Sequence, residues 1–341
     1  MDIIYRFVNY GEPLAPEKDT IALDVGMDMK PGVIDHHHPQ AEAECTASLI
    51  IKYPGLVLDH LRSGGRPVPA SLTVITHRMP DFDAVSSIFL SLKLLETGRI
   101  NDPLAQIGRY ARVADSASFP KSIDLAATPY AILRALFGGI RRPEEEANRG
   151  RVAEGLRLMK FLYARAEEGQ DIFENRRLYA GIERYERAMR RIEDDYFRYL
   201  EDLGRVRVLR LCLPLMTGRG RREVDGLAVA NPRCFLFKEW ARRDTTHSAL
   251  GRGFSLVISG FGADRFILGV DGEEGVNFKG LAPRLDEREE TKRSSLQRPP
   301  SPGWYDGNCA FFGQRIVVSP RDGTVLNQEE ILEVLLDYGR P

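Results

Sequence analysis

The chain has 341 residues, 43% of them hydrophobic, and a formal net charge of −1. That length corresponds to about two domains of ordinary size, and the apolar fraction is sufficient for buried cores. Because 48 basic residues are balanced by 49 acidic ones, no overall positive field attracts nucleic acid. Binding of a polyanion must therefore come from a local patch or from metal ions.

Cysteine usage and hydropathy predict a soluble, cytoplasmic protein. The four cysteines are far apart in the chain and form no CxxC pair, which is typical of free thiols in a reducing compartment. No apolar run approaches the roughly 20 residues that a membrane-spanning helix needs, so no membrane association is expected. The first residues, MDIIYRFVNYGEPLAPEKD, lack the basic and then apolar order of a signal peptide.

Residues 1–142 have the pattern of an α/β domain. Short apolar runs rich in β-branched residues predict strands at 20–25, 31–35 and 71–76. A helical pattern at 84–98 ends on a glycine, as helices often do. Strands that alternate with helices predict a mostly parallel sheet with helices on both faces.

Residues 143–204 predict a helical connector to a second, smaller α/β domain at 205–341. The connector is charged, amphipathic and rich in helix-forming residues, so two long helices with solvent-facing charge runs are expected. The C-terminal domain has strand-like runs at 205–215, 225–231, 254–262 and 265–272. Helices are expected at 235–243 and 328–339, and residues 280–303 predict a helix or loop leading into an exposed segment.

Polar residues suited to metal binding fall in a few short segments, each directly after an apolar run that resembles a strand. These residues are Asp24 in IALDVG, Asp35, His36, His37 and His38 in GVIDHHHP, His77, Asp81 and Asp83 in THRMPDFDAVSS, and Asp115 in YARVADSASF. Ligands bind beyond the carboxyl ends of strands in an open parallel sheet, so these strand ends are expected to converge.

The chemistry of these residues favours two divalent metal ions. Oxygen and nitrogen donors without sulfur suit Mn²⁺, with Mg²⁺ and Co²⁺ as alternatives, rather than a structural zinc ion. Several carboxylates in one site would repel one another without cations between them. Single residues also have simpler interpretations: an aspartate after a strand often caps a helix or turn, and Asp83 is placed to cap a helix that begins at Ala84.

The combination resembles the DHH phosphoesterase superfamily, which includes family II inorganic pyrophosphatases, exopolyphosphatases, RecJ-type exonucleases and small-oligonucleotide phosphodiesterases. Asp35-His36-His37 is similar to the signature triplet, and the segment from His77 to Ala84 is similar to the HxxxDxDA motif. Asp24 and Asp115 resemble the remaining acidic motifs. The resemblance covers residues 20–120 and implies a metal-binding catalytic domain.

The resemblance also implies a role for each of these residues. The metal ligands would be divided between two ions: His77, Asp81 and Asp24 for the first, and Asp83, His36 and Asp115 for the second, with Asp24 bridging both. Asp35 would orient the neighbouring histidines, and His37 would face the scissile phosphate. Arg78, next to His77, is a candidate to hold a phosphate oxygen. His38 has no counterpart in the family and is interpreted as a turn residue.

The chain departs from the family in two respects. Its DHH triplet precedes the HxxxDxD motif, whereas most members have the opposite order, and this favours a divergent branch. The C-terminal domain resembles the DHHA1 substrate-binding domain but lacks the glycine-rich GGGH-type motif. Arg284 and Trp304, with the neighbouring Tyr305 and Asp306, are candidate substrate-binding residues in its place, although helix solvation and turn packing explain them equally well.

These features predict a phosphohydrolase that attacks a small phosphorylated substrate with a water activated by two metals. Short polyphosphate, pyrophosphate and dinucleotides are the expected substrates. A RecJ-type exonuclease is one alternative, restricted to short oligonucleotides because basic residues are dispersed and no aromatic stacking platform is evident. A non-catalytic metal- or phosphate-binding regulator is the other. The edge strands and long helices are both compatible with a homodimer.

Overall fold

The computed structural model describes residues 1–38, 40–62, 69–117, 119–138, 140 and 144–340. The chain divides into two compact units. The first unit comprises Met1–Phe119, Ile123–Ile192 and Cys309–Phe311, and the second comprises Pro120–Ser122, Glu193–Asn308 and Phe312–Pro341. Each unit contains a five-stranded sheet and helices, so the predicted α/β class is confirmed. The predicted domain boundaries at 142/143 and 204/205 stay predictions.

The sheet of the first unit is parallel apart from one edge. Its strands are β1 (Asp2–Val8), β2 (Thr20–Leu23), β3 (Met29–Lys30), β4 (Val33–Ile34) and β5 (Ser71–His77). They lie in the order β1-β5-β2-β4-β3, and only the β3–β4 pair is antiparallel. All residues of β2 and β4 are buried, as expected for strands covered on both faces. The strands β1 and β3 lie outside the predicted runs.

The helices that belong wholly to the first unit are α1 (Thr46–Lys52), α2 (Gly55–Leu61), α3 (Phe82–Thr97), α4 (Asp102–Asp115), α5 (Pro129–Phe137) and α6 (Glu144–Glu167). The predicted helix at 84–98 is confirmed as α3, and Gly98 ends it in the left-handed conformation with φ 71°. Helix α3 packs against α1, α4 and α6. A Cβ atom on Gly155 of α6 would lie 2.3 Å from a methyl group of Val85, so the close approach of α6 to α3 requires glycine there.

The second of the two long predicted helices is α7 (Glu183–Leu203), which runs from the first unit into the second. Its charge run is not wholly solvated, and that prediction is wrong at Asp195 and Asp202, both fully buried. The Asp195 carboxylate accepts hydrogen bonds from the backbone N–H groups of Phe235 and Leu236 at 2.9 and 3.0 Å. These donors lie in a turn of the second unit in which Leu236 is buried and Phe235 partly buried, and loss of the acceptor for the buried amide would be costly.

The sheet of the second unit is mixed and covered by helices on both faces. Its elements are β6 (Arg207–Pro214), β7 (Arg221–Ala230), α8 (Phe237–Arg243), β8 (Leu256–Phe261), β9 (Arg265–Val270), α9 (Leu281–Ser295), β10 (Ile316–Val318) and α10 (Gln328–Tyr338). The strand order is β10-β9-β8-β7-β6, and only β7–β8 is parallel. Successive residues of β8 face opposite cores: Leu256 packs with α9 and α10, and Val257 packs with α8. None of the described helices is both long and apolar enough to cross a membrane.

Candidate metal centre

Three predicted site residues lie at one edge of the first sheet. His77 is the last residue of β5, Asp24 directly follows β2, and Asp35 directly follows β4. Because these three strands are neighbours and parallel, their carboxyl ends meet at the same edge. Residues that are far apart in the sequence are thus brought together, whatever their order along the chain.

Asp115 reaches the cluster from a helix, so the prediction of four converging strand ends is wrong for this residue. It is the last residue of α4. Two features at the start of α4 favour a helix. The Asn101 side chain caps it by accepting a hydrogen bond from the backbone N–H of Leu104, and a proline follows in the first turn. Three strand ends and one helix end therefore meet.

The first group of potential ligands consists of Asp24, His77 and Asp81, whose donor atoms all lie within 4.8 Å of one another. His77 Nε2 is 3.3 Å from Asp24 Oδ2 and 3.8 Å from Asp81 Oδ1. His77 Nδ1 lies 2.8 Å from the backbone carbonyl oxygen of Arg78. Since a carbonyl only accepts, Nδ1 donates there, and this contact turns Nε2 toward the carboxylates.

The second group consists of His36, Asp83 and Asp115, again within 4.8 Å of one another. His36 Nε2 is 3.4 Å from Asp115 Oδ2, and His36 Nδ1 is 3.7 Å from Asp83 Oδ2. Asp83 does not cap α3; that role belongs to Asp81, which accepts from the backbone N–H of Ala84 at 3.1 Å.

Asp83 is instead held by the first turn of α1. Its two carboxylate oxygens accept hydrogen bonds from the backbone N–H groups of Thr46 and Ala47, each at 2.9 Å. The interpretation of Asp83 as the cap of its own helix is therefore wrong, because a different helix supplies the donors.

Asp24 faces both groups. Its Oδ1 is 3.2 Å from His36 Nδ1, and its Oδ2 is 3.3 Å from His77 Nε2. The side chain is buried, and the backbone is left-handed with φ 62°. Such a conformation is uncommon outside glycine and is tolerated best by aspartate and asparagine. The backbone strain thus occurs at the residue of the first group that also lies beside His36 of the second.

Asp35 positions His37. Its Oδ1 lies 2.7 Å from His37 Nδ1 and also accepts from the backbone N–H of His37 at 3.0 Å. Its Oδ2 accepts from the backbone N–H of Met27 at 2.8 Å. The carboxylate is therefore anchored by backbone groups and orients the imidazole of His37, whereas the resemblance implies that it orients both neighbouring histidines.

The cluster contains more carboxylates than histidines, so its negative charge is not fully balanced by imidazolium groups. Burial lowers the pKa of His77, but the hydrogen bonds and charges of Asp24 and Asp81 outweigh burial and raise this pKa to about 10. Burial and the charge of Asp24 raise the pKa of Asp83 to about 8. A proton on His77 thus balances the carboxylates, and a divalent cation can take over this role with release of the proton.

The donor set fits divalent cations. The imidazole–carboxylate separations run from 3.2 to 3.8 Å, close to the roughly 3.0 Å between neighbouring ligands of an octahedral ion with bonds of about 2.1 Å. Within the described residues, none of the groups that could hold a metal ion includes a cysteine. Oxygen and imidazole donors of this kind can bind a divalent cation, and the lack of thiolates distinguishes them from a typical structural zinc site.

The remaining candidates lie outside these groups. The half-exposed guanidinium of Arg78 is 3.3 Å from Glu144 Oε1. Arg284, in the second unit, lies over the Tyr338 ring at 5.5 Å. Trp304 is 5% exposed and belongs to the second unit's core, so packing explains it, and a substrate role for Arg284 or Trp304 stays a prediction. The backbone carbonyl of His38 accepts from Ala41 N–H at 3.0 Å, consistent with a turn.

Thr46 and Tyr10 also lie at the site, although no sequence motif marks them. The Thr46 hydroxyl donates to Asp24 Oδ1 at 3.2 Å and lies 3.1 Å from His36 Nδ1. Tyr10, in the turn after β1, stacks on His77 with ring centroids 4.1 Å apart. The signal that would have revealed Tyr10 is the strand at 2–8, because a strand parallel to β5 ends at the same sheet edge.

Compared with known proteins, the chain matches no family model and no curated protein. Its function must therefore be inferred from the site itself.

Proposed function

We propose that this chain is a divalent-metal-dependent phosphohydrolase of the DHH type, which uses two Mn²⁺ ions to hydrolyse a small phosphate ester or anhydride. The observation that carries the proposal is the position of Asp24. One of its oxygens faces His36 and the other faces His77, at 3.2 and 3.3 Å. A carboxylate between two ligand groups is suited to bridge a pair of cations, and such pairs are typical of phosphate-ester hydrolases.

The two groups have the composition that the family resemblance implies. Asp81 and His77 accompany Asp24 on one side, and Asp83, Asp115 and His36 lie on the other. When bound, a pair of divalent ions supplies an activated water and neutralises charge on the entering and leaving oxygens. The mixed carboxylate and imidazole donors favour Mn²⁺, with Mg²⁺ and Co²⁺ as alternatives.

The chain's own residues would orient the substrate. Asp35 holds His37 through Nδ1 at 2.7 Å, which fixes the imidazole so that it can balance charge on a nonbridging phosphate oxygen. Arg78 is paired with Glu144 at an exposed position, where an ion pair contributes little. Its guanidinium can therefore exchange Glu144 for a phosphate oxygen, with which it forms stronger, charge-assisted hydrogen bonds.

A panel of substrates tests the proposal. Pyrophosphate, tripolyphosphate, a diadenosine dinucleotide and a labelled single-stranded 20-mer are each incubated with the full chain and Mn²⁺, Mg²⁺ or Co²⁺. We expect turnover of at least one small substrate with Mn²⁺. Preferential degradation of the 20-mer, weakened steeply by salt, would instead favour the exonuclease alternative.

Two variants connect turnover to the site. Asp115→Asn removes one charge from the second group, and we expect turnover to fall by at least 100-fold together with weaker Mn²⁺ uptake. Asp59→Asn removes an exposed charge on α2 and should leave both unchanged. Failure of the wild-type chain to bind Mn²⁺ in calorimetry, or full turnover by Asp115→Asn, would overturn the proposal. Metal-dependent phosphate binding without turnover of any substrate would favour a non-catalytic regulator.

A further inference from the structure

Tyr10 lies against the first ligand group, although no motif marks it. Residues Val8 and His77 are paired in the parallel register of β1 and β5, so the turn after β1 arrives at the sheet edge that carries the cluster. The Tyr10 ring stacks on His77 with centroids 4.1 Å apart and a 23° angle between the planes. It also meets the ring of His37 edge-on at 5.3 Å.

The Tyr10 hydroxyl points at the atom of His77 that is available to a metal. It lies 3.0 Å from His77 Nε2, whereas Nδ1 is engaged by the carbonyl of Arg78 at 2.8 Å. A cation on Nε2 would occupy the electron pair of that nitrogen and leave the hydroxyl without this partner. The two ring contacts would still hold the hydroxyl at the edge of the ligand group, where it needs another acceptor.

Packing alone does not account for this position. Tyr10 is 44% exposed as a residue, so burial of apolar surface is not the main reason for a tyrosine at this position. A phenylalanine would make the same two ring contacts. The feature that requires tyrosine is therefore the hydroxyl, and the groups nearest to it are those proposed to hold metal and phosphate.

We propose that Tyr10 contacts the substrate: its hydroxyl donates a hydrogen bond to a nonbridging phosphoryl oxygen held at the Asp24–His77–Asp81 group. This inference rests on the proposed function and adds a neutral donor to the charged ones, His37 and Arg78. A hydroxyl that donates to a charged phosphate oxygen contributes about 1.5–3 kcal/mol, equivalent to about a tenfold to hundredfold change in affinity.

The test compares Tyr10→Phe with Tyr5→Phe, a matched change on β1 at a residue outside the ligand groups. Mn²⁺ alone is titrated into each full-length variant by calorimetry, and inorganic phosphate is then titrated into the Mn²⁺-loaded protein. For Tyr10→Phe we expect Mn²⁺ affinity within about twofold of wild type and phosphate affinity at least about tenfold weaker. Tyr5→Phe should match wild type in both titrations.

The outcomes separate this inference from the proposed function. Unchanged phosphate affinity in Tyr10→Phe overturns the inference, while turnover by the wild-type chain would still uphold the proposed function. A loss of Mn²⁺ affinity itself would make Tyr10 a metal ligand and would also overturn it. If the wild-type chain binds Mn²⁺ and phosphate but turns over nothing, the hydrolase proposal fails and the phosphate titration still decides the role of Tyr10. A wild-type chain that binds no Mn²⁺ overturns both.

Discussion

Replacing Asp24 by asparagine should release the proton that His77 holds. The change keeps the size of the side chain and removes only its charge. The left-handed backbone at this position, with φ 62°, is one that asparagine adopts readily. The variant should therefore fold, and its effect should be electrostatic.

The expected shift follows from the distance between the two groups. At an effective dielectric constant of about 20, unit charges separated by the 3.3 Å between His77 Nε2 and Asp24 Oδ2 interact by about 5 kcal/mol. At about 1.4 kcal/mol per pKa unit, this corresponds to about 3.7 units. The pKa of His77 is raised from 6.5 to about 10, so the Asp24 charge is large enough to account for the rise. In Asp24→Asn the pKa of His77 should fall to about 7 or below.

The assay is a pH titration of the imidazole carbon-bound protons by NMR, in the metal-free protein. The chain has six histidines, and the His77 signal is assigned by its loss in His77→Gln. Asp59→Asn is the control, because it removes an equal charge from an exposed position. A His77 signal that still titrates near pH 10 in Asp24→Asn would refute the assignment of Asp24 as its dominant partner.

Three further predictions concern stability. In the folded protein the pKa of His77 is raised from 6.5 to about 10, and the pKa of Asp83 from 3.8 to about 8. The folded state therefore binds both protons more tightly than the unfolded state, and this contribution to stability is lost as pH rises through those values. The free energy of unfolding of EDTA-treated protein, measured with urea, should therefore fall from pH 6.5 to 10, and a fall as steep with Mn²⁺ bound would contradict metal binding here. Gly155→Ala, whose Cβ would lie 2.3 Å from Val85, should lower the melting temperature and destabilise by about 1–3 kcal/mol. Gly150→Ala in the same helix, with its nearest atom at 3.4 Å, should stabilise by up to about 1 kcal/mol, and equal effects of the two would be inconsistent with the packing described. Asp195→Ala should lower the free energy of unfolding by about 2–5 kcal/mol, because the buried N–H of Leu236 and the partly buried N–H of Phe235 lose this acceptor. Asp194→Ala, at an exposed position, is the control, and an equal loss of stability there would exclude this cause.

Local patterns in the sequence predict much of the first sheet and the strand ends that carry the candidate ligand residues. The apolar runs that precede Asp24, Asp35 and His77 form strands that end at or next to these polar residues. Parallel pairing of the strands places those ends at one edge of the sheet. Asp115 follows a similar apolar run, yet Asn101 caps a helix there. A short apolar run is compatible with either a strand or a helix. In this case the N-cap at Asn101 is the feature that indicates a helix.

Other features depend on tertiary contacts that spacing does not reveal. Tyr10 lies at the cluster because β1 pairs with β5. Thr46 lies there because α1 begins beside Asp83. The buried carboxylate of Asp195 is needed by a turn 40 residues away in the chain. Charge patterning along α7 cannot indicate such a partner, because the donors belong to another segment.

The two amide hydrogen bonds that Asp83 accepts from α1 have a consequence for how related sequences should be read. A related chain without the proposed metal site would still need an acceptor for the N–H groups of Thr46 and Ala47, so it would tend to keep aspartate at this position for structural reasons alone. The presence of Asp83 is therefore a poor marker of the proposed activity in a relative. The His77–Asp24 pair, in which both partners are side chains, is a better one.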